Sequence, residues 1–397
     1  MIKMLTAYTL EADYVDQAVA EILEQLDLNN TLLKNSVGIL TCYVDFLYTG
    51  VVQALCNQLP FDVIGTTTLS ASTNKGRDLV ILTLSVLTSD DVVFSSVLTA
   101  PLADEQEVSI QTAYDYAAAK LPEKPSLILA YAPFLNHVGG EKLVHLIDKA
   151  APQVPVFGTL TCDHNFDFSE SYIIYNGSHY RNRLAMILLS GPVSPKFFTI
   201  SVPEDNIQKQ CAVITDSEGN IVHKVNDIPV LEYLESIGLS RESGLAGSKS
   251  IPLLLDYNDG TPPVARCFYM ITPDGSAVCG GDMPVNATFA LGTMDYDDVM
   301  LSSSQLLGKI LRTEKESCML IMSCIVRSIT LGMNQLAEIQ KVHEHIGDSL
   351  PYQLCYSGGE ICPVYEENGN TVNRFHNFSF AVCLFEGNTA SMSEGIP

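Results

Sequence analysis

The residues best equipped to hold a small polar solute stand at the ends of apolar runs. Ile64-Gly65-Thr66-Thr67-Thr68 and Val156-Phe157-Gly158-Thr159-Leu160-Thr161-Cys162-Asp163 each close a β-type run with a glycine and hydroxyls. Glycine lets a ligand approach the backbone, and threonine both donates and accepts hydrogen bonds. Thr66, Thr67, Thr159, Thr161 and Asp163 could therefore grip a polar ligand. The competing reading is structural, because threonines favour strand ends and glycines favour turns. Ser323-Cys324-Ile325-Val326-Arg327 lies where a buried strand gives way to a helical segment. A thiol there can be acidified by the helix dipole, which makes Cys324 a candidate nucleophile, and Arg327 could clasp a carboxylate with two parallel bonds. No catalytic partner for Cys324 is identifiable, and a structural cysteine with an arginine paired to one of many acids explains the segment equally well.

Tyr356-Ser357-Gly358-Gly359-Glu360 ends another apolar run. The bare N–H groups of Gly358 and Gly359, with Glu360 beside them, would suit an ammonium group; a β-turn with a solvated glutamate is the plain alternative. Arg327 and Glu360 together would complement a zwitterion such as an amino acid. The eight histidines offer little. Asn136-His137 follows a strand, His343-x-His345 falls at i, i+2 on a helix, and His376-Asn377 precedes the last strand. Residues at i and i+2 do not face one another, so no metal pair forms. Any one histidine could serve as an axial haem ligand, but a lone histidine is usually structural. There is no Walker A loop, no Gly-x-Gly-x-x-Gly after a strand, no His-Glu-x-x-His and no Gly-x-Ser-x-Gly. Asp256-x-x-Asp259-Gly260 is too incomplete for a calcium loop, and Asp295-Tyr296-Asp297-Asp298 reads as a helix cap.

The elements that would position these residues repeat. Gln58-Leu59-Pro60-Phe61-Asp62-Val63-Ile64-Gly65-Thr66 is echoed by Gln153-Val154-Pro155-Val156-Phe157-Gly158-Thr159, each after an apolar β-run and a helical stretch. The N-terminal half therefore reads as a duplicated strand–helix–strand unit whose two Gly-Thr ends are equivalent. Leu350-Pro351-Tyr352-Gln353-Leu354-Cys355-Tyr356-Ser357-Gly358 is a weaker third echo. Helical spacing places helices over 12–26, 47–59, 109–121, 140–150, 297–311 and 333–346. The fold class expected is α/β, in two domains, with mixed β-sheets and flanking helices. The boundaries are 1–205, 206–386 and a polar tail, 387–397.

The chain has 397 residues, 47% hydrophobic and 17% charged, with 46 acids against 22 bases and a net charge of −24. Such a surface repels phosphate backbones and anionic lipid, so neither nucleic acid nor membrane is an expected partner. No run approaches the roughly 18 apolar residues of a membrane span, and the N-terminus is too polar for a signal peptide. Eleven scattered cysteines without Cys-x-x-Cys indicate a reduced, cytoplasmic protein with mostly buried thiols.

With these motifs in view, the chain resembles the FIST family of sensory proteins. The N-terminal match rests on Ile64–Thr67, on Val156–Asp163 and on the hairpin region reaching Arg183–Ser190. The C-terminal match rests on Ser323–Arg327, on Tyr356–Ile361 and on the closing Phe375-His376-Asn377-Phe378-Ser379. Two departures stand out. The usual Tyr-Gly-Glu is Gly358-Gly359-Glu360, without the tyrosine, and the usual Asn-x-Thr is Asn377-Phe378-Ser379. The resemblance implies a FIST N-terminal and a FIST C-terminal domain and adds Asn377 to the candidate ligand contacts. It implies a small-ligand receptor, with amino acids or related metabolites as ligands, and no catalysis. It implies no cofactor, although a subset of the family binds haem and senses nitric oxide. Since only about a dozen residues follow the last strand, output is expected through a separate signalling enzyme: a histidine kinase, a chemoreceptor or a cyclic-di-nucleotide enzyme.

Overall fold

The computed structural model describes residues 2–103, 105–135, 139–165, 168–238, 251–313, 316–348, 350–366 and 369–386. Asn136, His137 and the 387–397 tail lie outside them. The architecture is mixed α/β, with several mixed sheets and flanking helices. Three six-stranded sheets share one strand plan. The first runs Lys3–Thr9, Leu82–Ser89, Asn35–Cys42, Val63–Thr67. The second runs Val93–Leu98, Ala185–Ser190, Leu127–Ala132, Val156–Leu160, and the third Pro195–Ile200, Phe380–Glu386, Glu316–Cys324, Tyr352–Ser357. In each, only the last two strands of these four pair in parallel. The duplication expected in the N-terminal half is thus the visible part of a triplication. Its third copy is split by an inserted eight-stranded sheet that begins at Ile207–Glu218 and closes at Thr288–Gly292.

Each sheet is completed by a hairpin from another unit. The hairpin of Ile173–Tyr175 and Ser178–Tyr180, from the second unit, joins the first sheet beside Val63–Thr67. Glu360–Tyr365 with Thr371–His376, from the third, joins the second sheet beside Val156–Leu160. Ala71–Thr73 with Arg77–Asp78, from the first, joins the third sheet beside Tyr352–Ser357. The exchange is cyclic, so it draws the ends of the three parallel strands toward one centre.

Burial explains the near-continuous apolar runs. One face of all three sheets packs into a shared core that includes Ile39, Leu87, Leu129, Phe157, Leu320 and Cys383. The opposite faces are covered by helices in three separate cores. A strand buried on both faces cannot alternate apolar with polar. The Gly140–Ala150 helix coincides with its sequence reading. The single helix read over 47–59 is instead two pieces, Asp45–Tyr48 and Val51–Cys56, parted at Gly50, whose φ of 88° lies in the left-handed region.

Candidate functional site

The Gly-Thr ends do meet. Gly65 and Gly158 occupy matching positions, facing Leu40 and Ala130 on the neighbouring parallel strand. A Cβ on either would run into that neighbour's backbone carbonyl, so only glycine fits. The hydroxyls beyond them tie the units together. Thr67 Oγ1 donates to the Cys162 carbonyl at 3.0 Å and accepts from the Tyr172 N–H at 2.8 Å. Thr68 Oγ1 donates to the Tyr356 carbonyl at 2.9 Å, and Thr159 Oγ1 to Ser357 Oγ at 2.6 Å. Thr66 Oγ1 donates to the Thr67 carbonyl, and Thr161 Oγ1 accepts from the Phe134 N–H. Asp163 accepts the N–H groups of Asn165 and Glu170, which fixes the chain that follows it. All are buried. Their hydrogen-bonding capacity serves the junction of the three units.

Arg327 is fully buried and its guanidinium faces Glu338, not Glu360. Nε and Nη2 donate to Glu338 Oε1 at 3.0 and 2.7 Å, while Ser323 Oγ and Tyr356 Oη donate to Glu338 Oε2. Val299 O and Ser302 Oγ take the remaining Nη2 contacts. With Nη1 donating to Phe378 O at 3.4 Å, this network binds two strands to three helices and engages all three guanidinium nitrogens. Cys324 is the residue before a helix of only six residues, and burial pushes its thiol well up, aided by the nearby Glu360 charge. That shift is opposite to the one a nucleophile needs.

Glu360 is the exception to this saturation. It opens the Glu360–Tyr365 strand instead of ending a turn, and it is fully buried. Ser379 Oγ donates to Oε2 at 2.6 Å, whereas Oε1 has no partner. The Ser357 hydroxyl, also close by, donates to the Gly359 carbonyl. Burial pushes the Glu360 carboxyl up to about 8, against the smaller opposing effects of Ser379, Ser357 and Arg327. Its charge would be felt by four buried thiols, Cys162, Cys324, Cys355 and Cys362. Asn377, next in sequence to His376, which faces Glu360 across the strand pair, is also buried and its Oδ1 has no partner. Two buried acceptors without donors cost about 1–3 kcal/mol each, an expense a donor-bearing ligand would offset.

Gly358 and Gly359 set this corner. Gly358 N–H donates to Leu160 O, and Leu160 N–H to Gly359 O, each at 2.9 Å. A Cβ on Gly358 would come within 2.5 Å of the Thr161 carbonyl oxygen, which accounts for the missing tyrosine. A Cβ on Gly359 would collide with the Phe375 ring. The cover over Asn377 comes from the inserted sheet, which sequence reasoning left out. Asn377 N–H donates to Ala265 O at 3.2 Å, and a Cβ on Gly280 would lie 2.5 Å from Asn377 Oδ1 and 3.0 Å from Cys267 Sγ. The Gly280-Gly281 pair was the available signal. His376 is held by the Cys362 carbonyl at 2.9 Å, and burial depresses its ring to about 4. Nine of the eleven cysteines are buried. Among the described residues no trio of His, Cys, Asp or Glu could hold a metal ion, and no helix is long and apolar enough to cross a membrane.

Comparison with known proteins agrees with the sequence motifs. The FIST N domain model matches residues 36–228 and the FIST C domain model residues 230–363. No curated protein matches significantly. Among solved structures, the chain is similar to the crystal structure of cyanuric acid hydrolase from A. caulinodans, at 9% identity over 98% of this chain and 99% of that one, with a TM-score of 0.41.

Proposed function

This chain belongs to the FIST family, whose domains are signal-transduction sensory domains, and on that premise we propose that it is a cytoplasmic receptor for a small polar metabolite. The ligand, an amino acid or a relative, would lie between the three-unit core and the inserted sheet, and the signal would pass to a separate partner enzyme. One observation carries this reading: Glu360 Oε1 and Asn377 Oδ1 are buried acceptors without donors, and Asn377 lies beneath a cover that belongs to a different sheet. An ammonium group supplies several donors at once and would hold Glu360 in its charged form. Because Arg327 is engaged by Glu338, the ligand's carboxylate, where it has one, would be met by backbone N–H groups. Seating a ligand under the inserted sheet gives that sheet a different resting position with and without it, which is the differential contact a sensor needs.

Isothermal calorimetry against an amino-acid and amine panel tests the reading. Wild-type protein should bind at least one member, and Glu360→Gln should weaken it about tenfold or more, as loss of a buried charge pair does. Folded protein that binds no member would refute it.

A further inference from the structure

The hydrogen bonds around Glu360 decide whether its ligand can carry a carboxylate. A buried carboxylate needs a cation or a set of N–H groups. The N–H groups at this corner already have acceptors. That of Gly358 donates to Leu160 O at 2.9 Å and that of Gly359 to Ser357 Oγ at 3.1 Å. The Cys324 N–H donates to Ser379 O at 2.9 Å and the Asn377 N–H to Ala265 O at 3.2 Å. The Val326 and Phe378 N–H groups face the Cys324 sulfur. Side-chain donors are engaged too. Ser357 Oγ donates to Gly359 O at 2.7 Å, Ser379 Oγ to Glu360 Oε2, and Cys162 Sγ to Tyr356 O at 3.2 Å. The unpartnered Ser328 hydroxyl stands by Tyr356 Oη, on the side of the Arg327–Glu338 pair. Two buried guanidiniums are turned away. Arg327 is balanced by Glu338 and acts on Glu360 less than either serine does. Arg266 follows Ala265 on one strand, and Ala265 packs in the core with Cys324 and Phe378. Arg266 therefore points to the opposite face, where it donates to Glu141 and Tyr257.

What is left at the corner is one-sided. Glu360 Oε1 and Asn377 Oδ1 are acceptors with nothing to accept. The Asn377 amide nitrogen is a single neutral donor, too little for a carboxylate set beside Glu360. The walls are apolar or soft, since Cys162, Phe168, Cys267, Cys324 and Phe378 belong to one core. A second positive charge would find no second free carboxylate among them. We propose, on the premise of the receptor reading, that the ligand is a primary monoamine with an apolar tail and no carboxylate. Its ammonium group donates to Glu360 Oε1 and Asn377 Oδ1, and its tail lies against the phenylalanines and thiols. The amino acid with the same side chain would bury an unmatched negative charge next to Glu360, so the site divides amines from their amino acids.

The test is calorimetry of the full chain with matched pairs, phenethylamine against phenylalanine and isoamylamine against leucine. It is run at about 150 mM salt, where long-range attraction to the acidic surface is screened. At least one amine should bind, about tenfold or more tighter than its amino acid. In Glu360→Gln, a neutral side chain of the same shape, amine binding should weaken about tenfold or more and the gap to the amino acid should narrow. An amino acid that binds as tightly as its amine would overturn this inference and leave the receptor reading standing. A gap as wide in Glu360→Gln as in wild type would seat the amine on the acidic surface and overturn it as well. Folded protein that binds none of the four compounds also overturns it, whereas the receptor reading falls only with the whole panel.

Discussion

Glu360 is a carboxyl set among thiols, and its ionisation is the property on which the proposed ligand recognition rests. Its folded-state value of about 8 lies above the ordinary 4.5, so folding takes up a proton between those pH values. The stability this confers is complete below about pH 4.5 and is lost as pH rises through 8. Glu360→Gln is neutral throughout, so its stability should match wild type near pH 5 and exceed it at pH 8.5. Urea unfolding at the two pH values checks this; equal differences at both would show that the carboxyl is charged in the fold. Glu360 was legible as a candidate because glycines precede it, but its burial was not. Whether a glutamate after Gly-Gly faces water depends on the second unit's Val156–Leu160 strand, about 200 residues earlier in the chain, against which it pairs.

At the scale of elements, the buried Arg327–Glu338 pair is the clearest structural commitment. Removing one partner strands the other charge in the core, at a cost of about 3–5 kcal/mol. Arg327→Met should therefore destabilise strongly in urea unfolding, and the double variant Arg327→Met/Glu338→Leu should recover a large part of the loss. A single variant as stable as wild type would mean that the pair is open to solvent or already broken. The local reading of elements succeeded where periodicity is self-contained. The Gly140–Ala150 helix has a clean apolar stripe of Leu143, Val144, Ile147 and Ala150. It failed where the partner strand is remote. The Ala71–Thr73 and Arg77–Asp78 strands are too short to announce themselves and exist because they add to the third sheet, whose Tyr352–Ser357 strand comes far later in the sequence. Arg327 was singled out as a ligand contact because Glu338 belongs to the following helix, and spacing alone does not place it in reach.

At the scale of the whole molecule, three sheets exchanging hairpins in a ring explain why a chain with so few charged residues folds around a polar centre. Each hairpin crosses to a neighbouring unit, so the hydroxyls at the strand ends are fixed from two sides. The repeat in sequence exposed two of the three units and, as a weaker echo over 350–358, the parallel strand of the third. The third was obscured by the inserted sheet, which separates its first strand, Pro195–Ile200, from its second, Glu316–Cys324. That same insertion supplies Ala265, Cys267 and Gly280 over Asn377. On the proposed function, the signal arises from a change at one boundary, between the ring of units and the inserted sheet. A crystal structure of the protein with the tightest-binding member of the amine panel tests this most directly. A ligand nitrogen is expected within hydrogen-bond reach of Glu360 Oε1, with Asn377 Oδ1 facing the same molecule. A ligand seated elsewhere, with both oxygens still untouched by it, would contradict the claim.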